Sequence, residues 1–224
     1  MSLRQIVAIA LSLAVLALFI GLGIWQVQRL QWKEGVLAEI SARIEAQPVA
    51  LPATPGPIDD KYLPVEVTGE MRDLTLRVLV STKQSGAGYR LISPLATDGG
   101  DVMIDRGFIR VDQKQPPVQT GPVTVVGNLH WPDDRSGATP DNDVDNNTWF
   151  ARDIPQMAEI LGTRPVLVIA RQIDPPQAGV APLPVTTEGI PNRHLEYAGT
   201  WFLLALTWSV MTLTLLWRKK RRHS

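Results

Sequence analysis

The chain has 224 residues, 22 basic and 22 acidic side chains, no cysteine, and a mean hydropathy of +0.02. All 22 acids but only 16 of the 22 basic residues lie between Val27 and Tyr197, so the zero net charge divides into −6 in the middle and +6 at the two ends. An acidic middle excludes a nucleic-acid-binding core, which needs a basic patch. The lack of cysteine excludes a disulfide scaffold, thiol redox chemistry, thiolate metal ligation and CxxCH haem attachment.

In chain order, residues 1–26 read as a membrane anchor. Residues 6–24 run without a charge, and at about 1.5 Å rise per residue they reach roughly the hydrocarbon thickness of a bilayer. The run is longer than a signal-peptide core and exits through Trp25, Gln26, Arg29 and Trp32, which predicts an uncleaved span. Ala10, Ala14, Ala17 and Gly21 recur at roughly helical spacing, so they are either a face for close helix packing or lipid-facing filler. Residues 27–47 continue the helix, with Leu30, Leu37, Ile40 and Ile44 as an apolar stripe. Residues 48–61, with prolines at 48, 52, 55 and 57, form a linker.

Residues 62–174 alternate or run β-branched between turn signals. Strands are expected over 62–70, 73–80, 89–96, 101–110, 123–131 and 165–172, with TWFAR (148–152) and a short helix over 154–162 between the last two. This pattern predicts an antiparallel sheet, barrel or sandwich. Residues 175–193 form a second proline-rich linker. Residues 194–217 form a second span, with Trp201 and Trp217 near its ends as interfacial anchors. The basic stretch 218–224 follows as a stop-transfer, lipid-binding tail. The fold class expected is therefore α+β: two transmembrane helices flanking an antiparallel β-rich domain with a short helix.

The basic ends set the sidedness. Arg4 before the first span and five Lys/Arg after the second place both termini in the cytoplasm and the acidic domain in the periplasm of a bacterial inner membrane. The organellar alternative is a mitochondrial inner membrane, with the domain in the intermembrane space. Arg29 and Lys33 flank the exit of span one and oppose this sidedness, but they are outnumbered.

Several motifs fail as chemistry. KQSGAG (83–88) lacks the order of a phosphate-binding loop and reads as a hairpin turn. DNDVD (141–145) starts like a calcium loop, but Asn146 stands where glycine is needed and Arg152 where glutamate is needed, so it reads as a solvated loop. No GxSxG or HExxH motif occurs, so no enzyme is expected. Of three histidines, His223 lies in the tail. His194, Tyr197, Ala198 and Trp201 share one helical face at the mouth of span two. An imidazole beside flat aromatic rings suits a haem iron, and it also suits a polar interfacial anchor.

NRHLEYAGTWF resembles the N-[NR]-H-x-x-Y-x-x-T-W-[FY] signature that opens the second span of the Surfeit locus protein 1 family. LGIWQVQRLQWKEGVL (22–37) resembles that family's first-helix exit, and YLPVEVTGE, VMIDRGFI (102–109) and TPDNDVDNNTWFARDIPQMA (139–158) also match its pattern. The resemblance runs from about Leu22 to Trp217. It implies an assembly factor for a haem–copper terminal oxidase, with the largest oxidase subunit as partner and haem a synthase as a further one. It also implies that haem a is bound with His194 as axial ligand and with Tyr197 and Trp201 beside it. His130 departs from the family pattern, where arginine is expected nearby. The alternative function is a membrane scaffold that stabilises oxidase intermediates and holds no cofactor. The absence of cysteine and of a Met-rich run argues against copper delivery. The β-rich domain would supply partner contacts or a lid. DRGFI (105–109) is a candidate element for either, or else an Asp105–Arg106 ion pair at a strand turn.

Overall fold

The computed structural model describes residues 3–82, 85–119, 121–188 and 190–221. The Lys83–Gln84 part of the KQSGAG turn, Gly189 of the second linker, and Arg222 and His223 of the tail lie outside the described residues. The chain divides into two units, Met1–Glu39 with Thr187–Ser224, and Ile40–Thr186.

In the first unit, helix α1 (Leu3–Glu45) contributes its apolar part and helix α3 (His194–Arg221) contributes the second apolar run. Both are long and apolar enough to cross a membrane, and only 6% of each apolar window is buried. Exposed Leu, Ile and Val along both helices fit a hydrocarbon solvent rather than water.

The second unit is built on seven strands: β1 (Val49–Ala50), β2 (Pro64–Met71), β3 (Leu76–Thr82), β4 (Gly86–Ala96), β5 (Val102–Arg110), β6 (Pro122–Leu129) and β7 (Leu167–Asp174). They lie in the order β1-β2-β6-β7-β5-β4-β3, and a further β2–β4 pairing closes β2, β6, β7, β5 and β4 into a small barrel. Closure brings Gly69 so near to β4 that a Cβ there would lie 2.1 Å from the Ala96 carbonyl oxygen, so only glycine fits. With the helices to either side of it in sequence, this is the expected α+β membrane architecture.

The barrel is mixed rather than wholly antiparallel, because β1–β2 and β5–β7 run parallel. β5 and β7 are the central strands and are buried on both faces. Val102, Ile104, Val168 and Ala170 point into the barrel with Val65, Val125 and Leu129. Met103, Leu167 and Ile169 point outward, under Trp149 and helix α2 (Ile154–Leu161). Strands covered on both sides read as continuous apolar runs, as VMI and VLVIA do here.

Helix α2 is specified locally. Asp153 caps its first turn by accepting from the Gln156 amide, Pro155 sits at its start, and Gly162 ends it in a left-handed conformation. Ile154, Met157, Ala158 and Leu161 form its buried face. TWFAR is no strand. Trp149, fully buried, joins β3 through a single bridge to Val78, and Asn142 and Asn147 hold its loop by side-chain bonds to Phe150, Ala151 and Arg77. The DNDVD loop thus anchors a core tryptophan. Both proline-rich linkers carry pieces of the barrel: β1 pairs with β2, and Ala181 exchanges two backbone hydrogen bonds with Phe108.

The DRGFI segment is neither a lid nor a turn. It lies in β5, and Asp105, 0% exposed, pairs with Arg90 at 2.5 Å rather than with Arg106. Asp105 also accepts from the Gly107 amide at 3.1 Å. Removing one partner of a buried ion pair strands the other charge in a poor dielectric. Asp105→Ala is therefore expected to lower stability by about 3–5 kcal/mol in urea unfolding of the full chain in detergent. The Arg90→Ala/Asp105→Ala double variant should cost clearly less than the sum of the two single changes.

Candidate functional site

α1 and α3 meet along two matching stripes. On α1 the sheltered residues include Ile9, Ser12, Leu16, Phe19, Gly23 and Gln26, and on α3 they include His194, Ala198, Trp201, Ala205, Trp208 and Thr212. Both stripes alternate three- and four-residue steps, the spacing that keeps two helices in register in a left-handed pair. Of the two readings of the small-residue face, the lipid-facing one fits. Ala10, Ala14, Ala17 and Gly21 are exposed, and the close approach falls at Gly23 instead. A Cβ on Gly23 would lie 2.6 Å from the Phe202 ring. Farther along, Phe19 packs between Trp201 and Trp208 at ring-centroid distances of 6.0 and 6.4 Å. The Trp208 indole donates to the Ser12 carbonyl at 3.1 Å, and the Ser12 and Thr212 hydroxyls lie 3.0 Å apart.

The upper end of this seam is polar. Gln26, 9% exposed, places its Oε1 2.7 Å from His194 Nδ1. An amide oxygen only accepts, so with that oxygen turned to the ring the contact selects, for a neutral imidazole, the tautomer with the proton on Nδ1 and the lone pair on Nε2. An amide in an apolar seam costs free energy unless it is paired, and this pairing satisfies it. Nearby, the Lys33 ammonium donates to the Pro191 carbonyl.

The structure divides the residues that the sequence grouped together. His194 and Trp201 line the seam with Ala198, whereas Tyr197 is 54% exposed and turns outward. Sequence reading missed Gln26 as a partner. Its signal was its place seven residues after Phe19 on the buried stripe.

His130 is a separate histidine with a structural role. It is partly buried between Tyr62, 5.5 Å away ring to ring, and the Arg152–Asp134 ion pair. Its Nδ1 is buried without a hydrogen-bond partner. Burial first, then the Arg152 and Lys61 cations, push its pKa down to about 4, against a smaller opposing pull from Asp134. Among the described residues, no three His, Cys, Asp or Glu side chains gather around a metal-sized space.

The arrangement defines an apolar helix pair with one partly buried imidazole held by a side-chain amide, carried in the same chain as a small closed barrel. The SURF1 family model matches residues 13–206. Surfeit locus protein 1 of Homo sapiens is 30% identical over 89% of this chain and 73% of its own length. The Xenopus tropicalis protein of the same name is 31% identical over 89% and 71%, and a SURF1-like protein of Drosophila melanogaster is 29% identical over 85% and 71%. The chain belongs to the SURF1 family.

Two predictions follow from these two histidine environments. His130 has a depressed folded pKa, so the unfolded chain binds the extra proton first. Stability should hold above pH 6.5 and fall by about 3 kcal/mol as pH drops from 6.5 to about 4. His130→Gln should flatten that part of the stability–pH curve. In the seam, the natural absence of cysteine permits a clean cross-link. The Ser12→Cys/Thr212→Cys pair should oxidise within one chain, and adding Gly23→Leu should suppress the band on a non-reducing gel.

Proposed function

We propose that this chain is a membrane-bound assembly factor for a haem–copper terminal oxidase, and that it carries haem a with His194 as the axial ligand. One observation carries the reading: the 2.7 Å contact between His194 Nδ1 and Gln26 Oε1, which leaves Nε2 as the basic nitrogen. Ligating histidines commonly have their second nitrogen bound to an acceptor that fixes the tautomer and raises basicity. The donor chemistry fits haem: a neutral imidazole, bordered by Trp201 and by the exposed Tyr197 ring, in an apolar surround. When bound, the haem supplies an iron centre and a lipophilic macrocycle. The chain's own residues hold and orient that group, and they shelter its ligand from water.

A single histidine also suits a carrier better than an enzyme. One axial bond can be given up to an acceptor protein. The acceptor is the largest subunit of the oxidase, with haem a synthase as a further partner. The +6 ends and −6 middle support a bacterial inner-membrane protein with both termini cytoplasmic and the barrel periplasmic. The same sidedness in a mitochondrion would put the barrel in the intermembrane space.

The test is the absorption spectrum of full-length protein purified from a host that makes haem a. Wild type is expected to carry a Soret band and His194→Ala to lose it. Gln26→Ala should bind haem at least about tenfold more weakly, as outer-shell substitutions do. Equal haem content in wild type and His194→Ala overturns the ligand assignment. Haem-free wild type from haem a-replete membranes, still rescuing oxidase assembly, points to a scaffold without a cofactor.

A further inference from the structure

The barrel buries an arginine that has no carboxylate partner. Arg106 is 3% exposed, and its guanidinium meets only neutral groups: Gln177 Oε1 at 2.7 Å, Ser93 Oγ at 3.3 Å and Thr75 Oγ1 at 3.4 Å. Burial lowers its pKa, and only the more remote Asp73 opposes that effect. Among the described residues, neither Arg106 nor Arg171 forms an ion pair. Yet both line one cavity of about 190 Å³, with Gln177, Ile173, Val180 and Pro182.

Both arginines reach this cavity by the same backbone device. On β5, Asp105 and Gly107 pair with consecutive residues Ile92 and Leu91 of β4, so Arg106 is the extra residue of a β-bulge. On β7, Ala170 and Gln172 pair with consecutive residues Gly127 and Val126 of β6, so Arg171 is the extra residue of a second bulge. A bulge re-aims a side chain that the two-residue alternation would send elsewhere. Gly107, at φ 125°, completes the first bulge, and a Cβ there would lie 2.3 Å from the Ala181 carbonyl oxygen.

Two donors beside Arg106 are unmet. Arg171 Nε and Gln177 Nε2 are buried with no hydrogen-bond partner. Gln177 cannot turn its oxygen to the cavity without giving up its bond from Arg106. Arg171 is held in place by the bond from its Nη1 to the Ile44 carbonyl at 3.2 Å. Two guanidinium groups without a carboxylate partner and two unpartnered N–H donors, Arg171 Nε and Gln177 Nε2, therefore border one cavity, in a domain whose overall charge is negative. Leaving such groups unpaired costs free energy, and an anion that accepts from them recovers it.

We propose that this cavity is a binding site for an oxoanion group, a carboxylate or a phosphate, clamped by Arg106, Arg171 and Gln177. The site is independent of the haem reading. A planar carboxylate matches the guanidinium forks in two-point fashion, and a phosphate offers the same acceptor edges. Ile173, Val180 and Pro182 give the cavity an apolar border, and a site partly sheltered from water strengthens such a pairing. The cavity holds roughly six waters' volume at about 30 Å³ each, enough for one such group.

The experiment titrates the full chain in detergent with potassium acetate and, separately, with potassium phosphate. Ionic strength is held constant with chloride, and the thermal midpoint is the readout. Wild type should be stabilised saturably by at least one anion, and the stronger arm identifies the group as carboxylate or phosphate. Arg171→Gln, at a half-buried position that tolerates truncation, should weaken that response about tenfold. Gln177→Glu supplies an internal carboxylate beside Arg106. It should raise the midpoint without added anion and abolish the response. A response to neither anion, or an equal response in wild type and Arg171→Gln, overturns the proposal. So does a fall in midpoint on Gln177→Glu.

Discussion

A side-chain amide buried between two apolar helices has to find a partner, and Gln26 takes His194. That hydrogen bond does three things at once. It satisfies the amide, fixes which imidazole nitrogen carries the proton, and sets the register of the two stripes at their polar end. The rest of the seam follows from that register. Gly23 falls opposite Phe202, Phe19 falls between Trp201 and Trp208, and Ser12 falls opposite Thr212. Slide one helix by a turn and each of these contacts is lost together with the histidine's partner. In lipid, helix association has no hydrophobic driving force, so steric fit and a few polar bonds must decide the pairing.

The barrel solves a different problem with the same economy of polar groups. Its central strands β5 and β7 are covered on both faces, so every polar side chain in them needs a defined partner. In β5, Asp105 takes Arg90 and the Gly107 amide, and in the neighbouring β6 Asn128 donates to the Ile44 and Tyr62 carbonyls. The two bulges are where this pattern is broken, and each break turns an arginine toward the same space. Regular strands would have put a charged residue at neither place. Irregularity in both strands at one cavity is the mark of a position shaped for a ligand or for strain, and the unmet donors there favour the ligand.

Much of the architecture was legible because it rests on composition and period. Uninterrupted apolar runs marked the two long helices, and the short helix expected over 154–162 is α2, Ile154–Leu161. Turn residues separated the strands almost where they separate in space. Two features were not legible. The parallel β5–β7 pairing depends on which strands meet across the sheet, which alternation does not report. Trp149 was hidden because its neighbours are Asn, Thr and Asp, the residues of a loop, although those side chains serve to pin it into the core. At the seam, small residues drew attention to Ala10, Ala14, Ala17 and Gly21, yet the contact stripe is the one that carries the polar Gln26. His194 stood out by residue type alone. Its partner was invisible because 168 residues separate the two in sequence.

The account's central claim is that His194 is held with Nδ1 protonated and Nε2 free to ligate. The chain has three histidines, so ¹⁵N-histidine labelling of the full protein in lipid, with His130 and His223 assigned by substitution, isolates its signals. The account predicts an N–H signal at Nδ1 and an unprotonated, pyridine-like signal at Nε2, both lost to tautomer averaging in Gln26→Leu. A proton on Nε2 in the wild-type protein, or a signal that Gln26→Leu leaves unchanged, would contradict it.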